Sequence, residues 1–348
     1  MPQPPRVRRS VTIHDVARRA GVGRQTVSNV LNGGGRVGAP ARQRVLDAVE
    51  ALGYQPHQGA RSLRSRRTMQ LAYLMPRIQL RPSNLIMLQF LEALVTAAAR
   101  RQYGVVVVAP EHDPLEDIRR LVASRSVDAF IVSELRPGDP RVQLLADSGV
   151  AFACFGRTRE QLPQHWVDID NRAGSDAATA HLLQRGVTRL AYVGYQSELY
   201  WDTDRAAGFR DAVARHAAAA APGAAAPAAD PPVLLVDEDD EEDARGRVRA
   251  LIAAAAPAGI VAGSDKLATI VYSAAADLGL GIGRDLSVTG FDGSFIASLL
   301  NPQLTTIAIP VADIASHLID RALRQFGHGP DGQPGELVPA ELQLGAST

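Results

Sequence analysis

The stretch TIHDVARRAGVGRQTVSNVLN, residues 12–32, predicts two short helices joined by a tight turn. Each half has apolar side chains at helical spacing: Ile13, Val16, Ala17 and Ala20 in the first, and Val27, Val30 and Leu31 in the second. Thr12 precedes the first helix and carries a side-chain oxygen suited to an N-cap. Gly21 and Gly23 interrupt the pattern, because glycine adopts backbone conformations that other residues avoid. The expected structure is a helix-turn-helix.

The second helix has a polar face opposite its apolar one, formed by Arg24, Gln25, Ser28 and Asn29. In a DNA-binding helix-turn-helix, the second helix lies in the major groove. Arginine can bind guanine through two hydrogen bonds, and glutamine or asparagine can bind adenine in the same way. The pattern therefore predicts base contacts, with a plain helical hairpin and a solvated polar face as the alternative.

Charge is unevenly distributed along the 348 residues. The whole chain has a formal charge of +0, yet residues 1–67 contain thirteen arginines, no lysine and three acidic residues. This head therefore carries +10, and the remaining residues carry −10. A basic head on an acidic body predicts a polyanionic partner for the head alone.

The head is expected to have a disordered arm over residues 1–10, rich in proline and arginine, and a DNA-binding domain over residues 11–57. A third helix is predicted from Pro40 to Leu52, since proline suits the first turn of a helix. Four apolar residues of this helix should close a small core against the first two helices: Val45, Leu46, Val49 and Leu52.

From Gln70 the sequence alternates between short β-branched runs and helical stretches. Candidate strands are residues 71–75, 105–109, 129–132, 150–155, 166–169, 189–194, 233–237, 259–263, 286–291 and 337–344. Nearly continuous apolar strands alternating with helices are typical of parallel sheets covered on both faces. So many strands predict two doubly wound lobes, with a ligand cleft at the carboxyl ends of the strands.

Other classes of protein fit less well. The single cysteine, Cys154, lies in the apolar run VAFACF, which indicates a buried thiol and not a nucleophile. The sequence shows neither a signal peptide nor an apolar stretch long enough to span a bilayer. We therefore expect a cytoplasmic, nucleoid-associated protein without a metal, a cofactor or catalytic residues.

Several motifs together resemble the LacI/GalR (lac repressor) family of transcriptional regulators. The head matches through TIHDVARRAGVGRQTVSNVLN, RVLDAVEALGYQP and ARSLRSRRT. The body matches through VDIDN (167–171), HLLQRGVTRLAYVG (181–194), DRAAGF (204–209), AGSDKLA (262–268), DLGLGIGRDLSVTGFDG (277–293) and PQLTTIAIP (302–310). The resemblance implies an N-terminal all-α helix-turn-helix head and an α/β core of two doubly wound lobes, similar to periplasmic sugar-binding proteins. Residues 77–91 match poorly and receive no pocket assignment.

The resemblance also implies a domain plan and a mode of DNA binding. Residues 58–68 would be a hinge helix, with a plain basic linker as the alternative, and residues 69–348 the effector-binding core. The lobes would comprise residues 69–168 with 308–335, and residues 169–307 with 336–348. In this family two hinge helices enter the minor groove together, and a leucine matched by Leu63 wedges between bases. The residues expected to contact DNA are Thr12, Arg24, Gln25, Thr26, Ser28, Asn29, Asn32, Ala60 and Leu63.

Five residues are expected to bind a small-molecule effector, for which the resemblance indicates a carbohydrate. Arg205 matches the family's effector-binding arginine, and Asp292 matches a pocket acid. Arg157 and Asp170 follow strands, where charged side chains suit hydrogen bonds to vicinal hydroxyls, and Trp166 suits stacking on a sugar. As alternatives, Arg157 and Asp170 could pair with each other, and Trp166 could belong to the core.

The sequence thus predicts a repressor whose affinity for a pseudo-palindromic operator changes when an effector alters the angle between the lobes. Paired half-sites require two heads related by a two-fold axis, so we expect a homodimer. One alternative is a regulator that responds to a protein corepressor or a non-sugar ligand. Another is a carbohydrate-active enzyme with Asp170 and Asp292 as a carboxylate pair, which would leave the basic head unexplained.

Overall fold

The computed structural model describes residues 11–31, 35, 37–54, 67–75, 85–109, 113–158, 164–220, 226–228, 230–326 and 335–348. The chain divides into two compact units, Met1–Thr68 and Met69–Thr348. The predicted arm over residues 1–10 lies outside the described residues, as does nearly all of the predicted hinge. Three of the expected DNA contacts also lie outside them: Asn32, Ala60 and Leu63.

The described part of the first unit contains three helices: α1 (Ile13–Ala20), α2 (Arg24–Leu31) and α3 (Ala39–Leu52). The second unit alternates strands and helices: β1 (Gln70–Leu74), α4 (Leu85–Arg100), β2 (Gly104–Val108), α5 (Pro114–Ser124), β3 (Ala129–Val132), α6 (Pro140–Asp147), β4 (Ala151–Phe155), β5 (Trp166–Ile169), α7 (Asn171–Gln184), β6 (Leu190–Tyr195), α8 (Tyr200–Ala219), β7 (Val233–Val236), α9 (Glu241–Ala255), β8 (Gly259–Ala262), α10 (Asp265–Asp277), β9 (Ser287–Asp292), α11 (Phe295–Leu299), β10 (Thr305–Ala308), α12 (Val311–Arg324), β11 (Gly335–Val338) and β12 (Glu341–Gln343). Among the helices in these ranges, none combines the length and the apolar character that a membrane span needs.

The turn of the helix-turn-helix is made by Gly21, which ends α1 in the left-handed region at φ 63°. The Val22 N–H then donates to the Ala17 carbonyl at 3.1 Å, which satisfies one of the free carbonyl groups at the helix end. At the start of α1, Asp15 Oδ2 accepts hydrogen bonds from the Thr12 N–H and the Thr12 hydroxyl. Thr12 is the N-cap of α1 and forms a capping box with Asp15, which confirms the expected cap.

A small apolar core holds the three helices together. Val16, Val27 and Val45 are fully buried in it. The prediction that Leu46 joins this core is wrong, since Leu46 is 44% exposed. Helix α3 instead turns Val45 and Ala48, three residues apart on one face, toward α1 and α2.

Two six-stranded sheets organise the described part of the second unit, which confirms the predicted two-lobed α/β core. The first sheet has the order β11-β5-β4-β3-β1-β2, and the second has the order β12-β10-β9-β8-β6-β7. All neighbouring strands in these sheets are parallel except β10 and β12. The carboxyl ends of neighbouring parallel strands therefore lie at the same edge of each sheet, where ligand sites of such folds occur.

The boundary between the lobes differs from the expected one near the end of the chain. The single strand predicted at 337–344 is two strands, β11 in the first sheet and β12 in the second. Residues 336–338 therefore belong to the first lobe and not to the second. Pro339 stands between the two strands, and proline cannot donate a ladder hydrogen bond. The chain changes sheets at this interruption.

Helix α8 packs closely against the start of α7 through Gly208. A Cβ added at Gly208 would lie 2.1 Å from the Arg172 backbone oxygen, far inside van der Waals contact. Backbone cannot move aside as a flexible side chain can. This glycine is therefore required by the approach of the two helices.

Gly208→Ala should destabilise the core by ~1–3 kcal/mol through overpacking, despite the helix propensity gained. Gly246→Ala is the matched control, because Gly246 also lies inside a helix and has no atom within 4 Å of an added Cβ. The control should be neutral or more stable in urea unfolding. Equal midpoints for the two variants would contradict the close approach at Gly208.

Candidate functional site

A cavity of about 1070 Å³, including solvent at its mouth, lies between the two lobes. Its polar lining comes mainly from residues at or just after the carboxyl ends of strands: Glu134, Arg157 and Asp168 in the first lobe, and Tyr195, Glu238, Ser264 and Asp292 in the second. Parallel-sheet topology therefore concentrates these side chains around one space.

Arg205 on α8 is the most constrained of the predicted residues and is only 4% exposed. Its Nε donates to Asn171 Oδ1 at 2.9 Å, and its Nη1 donates to the Gly263 carbonyl at 2.6 Å and to Asp292 Oδ1 at 3.2 Å. The guanidinium also lies over the Phe291 ring, 3.7 Å from its centroid. Arg205 lines the cavity in a fixed orientation.

Asp292 ends β9 and lines the cavity beside Arg205. Burial raises the pKa of the Asp292 carboxyl to about 7, against the opposing effect of Arg205. The nearby Asp265 carboxylate raises this pKa further. Asp265 is itself buried and accepts hydrogen bonds from Ser294 and Thr306, and burial raises its pKa to about 6. Two buried carboxyl groups therefore lie near one arginine.

Arg157 also lines the cavity, but its partners differ from the expected one. Its Nε lies 3.6 Å from Asp168 Oδ2, and its Nη2 lies 3.5 Å from Asp204 Oδ2. Asp168 belongs to the same lobe, whereas Asp204 on α8 belongs to the other. Burial raises the pKa of Asp168 to about 6 despite the opposing charge of Arg157. Arg157 thus links the two lobes at the cavity.

Asp170 and Trp166 lie outside the group of residues that line the cavity. Asp170 is the N-cap of α7, and its Oδ1 accepts the Ala173 N–H at 2.9 Å. Neither residue is part of the cavity lining. The Trp166 ring packs against Gly335, where an added Cβ would lie 1.7 Å from the ring, and Arg157 lies 5.3 Å from the ring centroid. The carboxylate pair imagined for an enzyme, Asp170 with Asp292, is therefore not formed in the cavity.

Sequence reasoning missed the indole of Trp201, which lines the cavity one helical turn before Arg205. The Arg205 guanidinium lies 4.7 Å from the Trp201 ring centroid. Trp201 Nε1 donates to Glu134 Oε2 across the lobes at 3.2 Å. The i−4 spacing from Arg205 was the available signal, because such residues share a helix face.

On the first unit, the predicted DNA-contacting residues of α2 occupy one side of the helix. Arg24 and Gln25 are exposed, while Thr26, Ser28 and Asn29 are partly exposed. Gln25 Nε2 donates to Asn29 Oδ1 at 3.1 Å, so these two amides are held together. The buried Val27 and Val30 fix the opposite side of α2 in the core. The helix therefore presents the hydrogen-bonding groups that base contacts need.

Each of the two units contains a region that matches the model of a known protein family. Residues 12–57 match the model for bacterial regulatory proteins of the lacI family, and residues 179–348 match the model for a periplasmic binding protein-like domain. The chain is 30% identical to the HTH-type transcriptional regulator AglR of Rhizobium meliloti over 350 residues, covering 97% of this chain and 94% of AglR.

Solved structures show the same fold. A lac repressor dimer bound to operator and the anti-inducer ONPF has a TM-score of 0.81 and 22% identity, covering 97% of this chain and 99% of that one. A complex of the transcriptional regulator CelR with cellobiose has a TM-score of 0.71 and 24% identity, covering 97% and 100%. The relatives are DNA-binding transcriptional regulators and not enzymes, and this chain belongs to the LacI family of bacterial regulatory proteins.

Proposed function

We propose that this transcriptional regulator is a repressor that binds a pseudo-palindromic operator as a homodimer and responds to a carbohydrate in the cavity between its lobes. The observation that carries the proposal is the buried Arg205, held by three hydrogen-bond acceptors against the cavity. Burial of a guanidinium costs desolvation energy, and these acceptors offset that cost while they hold the side chain in one orientation at the cavity.

The chemistry of the cavity supports a carbohydrate. Carboxylates accept hydrogen bonds from hydroxyl groups, and Asp168 and Asp292 both line the space. Aromatic and aliphatic side chains supply the apolar walls that small-molecule sites use: Phe155, Ile169, Tyr195, Tyr200, Trp201 and Ile309. The similar CelR structure is a complex with cellobiose, which supports a sugar as the ligand here.

The DNA-binding mode follows from the exposed face of α2. Arg24 and Gln25 would contact base edges in the major groove, with Thr26, Ser28 and Asn29 beside them. Thr12 would contribute at the start of α1, where backbone contacts occur in helix-turn-helix proteins. Two such heads related by a two-fold axis match two half-sites, which is the basis for the dimer.

Two contacts between the lobes give the effector a route to DNA affinity. Glu134 bonds to Trp201, and Arg157 pairs with Asp204, so two first-lobe residues hold the beginning of α8. A ligand among these groups would favour one angle between the lobes. If operator DNA also binds one arrangement of the lobes more tightly than the other, a ligand that prefers one arrangement changes the affinity of the protein for the operator.

Selection of random duplex DNA on the purified protein, with and without a pool of neutral sugars, tests this function. We expect an enriched palindrome whose recovery changes with sugar. A palindrome that is indifferent to every sugar would contradict the carbohydrate effector and favour a protein corepressor or a non-sugar ligand. Failure to enrich any site would contradict sequence-specific binding.

Asp168→Asn should weaken binding of an active sugar at least ~10-fold, because it removes a charged acceptor from the cavity. Asp170→Asn is the control two residues away. It should leave sugar affinity unchanged and cost at most ~1 kcal/mol in stability, since asparagine also caps helices. Calorimetric titration of both variants with the sugar measures these affinities. A larger loss of affinity in Asp170→Asn than in Asp168→Asn would contradict the placement of Asp168 in the cavity and of Asp170 outside it.

Arg24→Ala should alter the sequence preference in the selected operator, with a loss of about 1–3 kcal/mol at one base pair. Arg18→Ala removes the same charge from α1, where the arginine side chain is 81% exposed. This control should reduce the affinity for all DNA sequences by the same factor, because phosphate contacts carry no sequence information. Binding profiles across single-base operator variants would separate the two, and an unchanged profile for Arg24→Ala would remove it from base recognition.

A further inference from the structure

Acidic groups outnumber basic groups in the lining of the cavity. Four carboxyl groups and three cationic groups line it: Glu134, Asp168, Glu238 and Asp292, against Arg157, Arg205 and Lys266. Asp204 and Asp265 add further acidic charge in contact with these groups or their neighbours. An approaching ligand therefore meets more carboxyl groups than cationic groups.

Each of the three cations already has a carboxylate beside it. The pairs are Arg205 Nη1 with Asp292 Oδ1 at 3.2 Å, Arg157 Nε with Asp168 Oδ2 at 3.6 Å, and Lys266 Nζ with Glu238 Oε1 at 4.0 Å. A ligand phosphate or carboxylate would have to take a cation from its partner. The displaced carboxyl group would then lose the cation that stabilises its ionised form, which is unfavourable.

Glu134 and Glu238 bring like charge to the cavity from opposite lobes. Glu134 follows β3 with a φ of 53°, and Glu238 follows β7. Burial raises the pKa of Glu134, and the negative charge of Glu238 raises it further. Both carboxyl groups line the same cavity, so a bound ligand would lie between acidic side chains of the two lobes.

The remaining lining suits an uncharged ring that carries hydroxyl groups. Carboxylates accept strong hydrogen bonds from hydroxyl donors, whereas they cannot donate to an anion. Trp201 lines the same space and is only partly buried, so its indole can contact the apolar face of a sugar. Its Nε1 is held by Glu134, which fixes the plane of the ring.

Building on the effector role proposed above, we propose that the cavity selects uncharged polyhydroxylated rings and excludes sugar phosphates and sugar acids, with Glu134 and Glu238 as the specificity-determining pair. An anionic ligand is excluded because the carboxyl groups repel it and because each cationic side chain among the described lining residues is already paired with a carboxylate. A neutral sugar keeps every ion pair intact, and its anionic derivative does not.

Calorimetric titration of the full-length protein with matched probes tests this selection. The probes are glucose, galactose, cellobiose and maltose, each beside its phosphorylated form and its aldonic or uronic acid. We expect a neutral sugar to bind at least ~10-fold more tightly than either of its anionic forms. An anionic form that binds equally well or better would overturn the selection and leave a carbohydrate effector in place. If no probe of either kind binds, the carbohydrate effector itself fails, and the selection fails with it.

A variant that removes one negative charge distinguishes exclusion of anionic probes by charge from exclusion by the shape of the cavity. Glu134→Gln keeps an oxygen that can accept from Trp201 Nε1 but removes one charge, so the affinity ratio of neutral to anionic probe should narrow on the order of tenfold. Glu198→Gln makes the same change on an exposed residue outside the cavity lining and should leave the ratio unchanged. An unchanged ratio in Glu134→Gln, or an equal change in both variants, would contradict selection by charge.

Discussion

The buried guanidinium of Arg205 is the interaction on which the cavity depends. It connects α8 to the start of α7, to the loop after β8 and to the end of β9 through its three acceptors. A buried charge is tolerated when its hydrogen-bonding groups are matched in this way. Removal of Asp292 would leave the buried guanidinium without its counter-charge, and loss of either neutral acceptor would leave a buried N–H group unpaired, so the position of the cavity wall and the stability of the second lobe are coupled.

The two lobes also contact each other through this helix. The first turns of α8 carry Trp201, Asp204 and Arg205. Trp201 contacts Glu134 of the first lobe, and Asp204 contacts Arg157 of the first lobe. Gly208, one turn further, sets how closely α8 approaches α7. A ligand that contacts the beginning of α8 therefore acts on the element that joins the lobes and positions Arg205, which provides a physical basis for the proposed response.

Strong periodic patterns allowed much of this molecule to be predicted. The helix-turn-helix, the two mainly parallel sheets and the choice of Arg205 and Asp292 as candidate pocket residues follow from apolar spacing, strand ends and motif resemblance. Side-chain direction did not follow, because Asp168 and Asp170 both lie near the end of β5 and only the structure shows that Asp170 caps α7. The sheet change at Pro339 and the exposure of Leu46 depend on tertiary packing, which local patterns do not encode.

The central claim is that the cavity controls DNA binding. The most direct test measures whether sugar and operator change each other's affinity for the protein, with one selected operator duplex. Operator affinity would be measured with and without a saturating neutral sugar, and sugar affinity with and without saturating operator. The account predicts that each ligand changes the affinity of the other by the same factor, typically roughly 5–150-fold. A sugar that binds the cavity tightly while operator affinity stays constant would contradict the account.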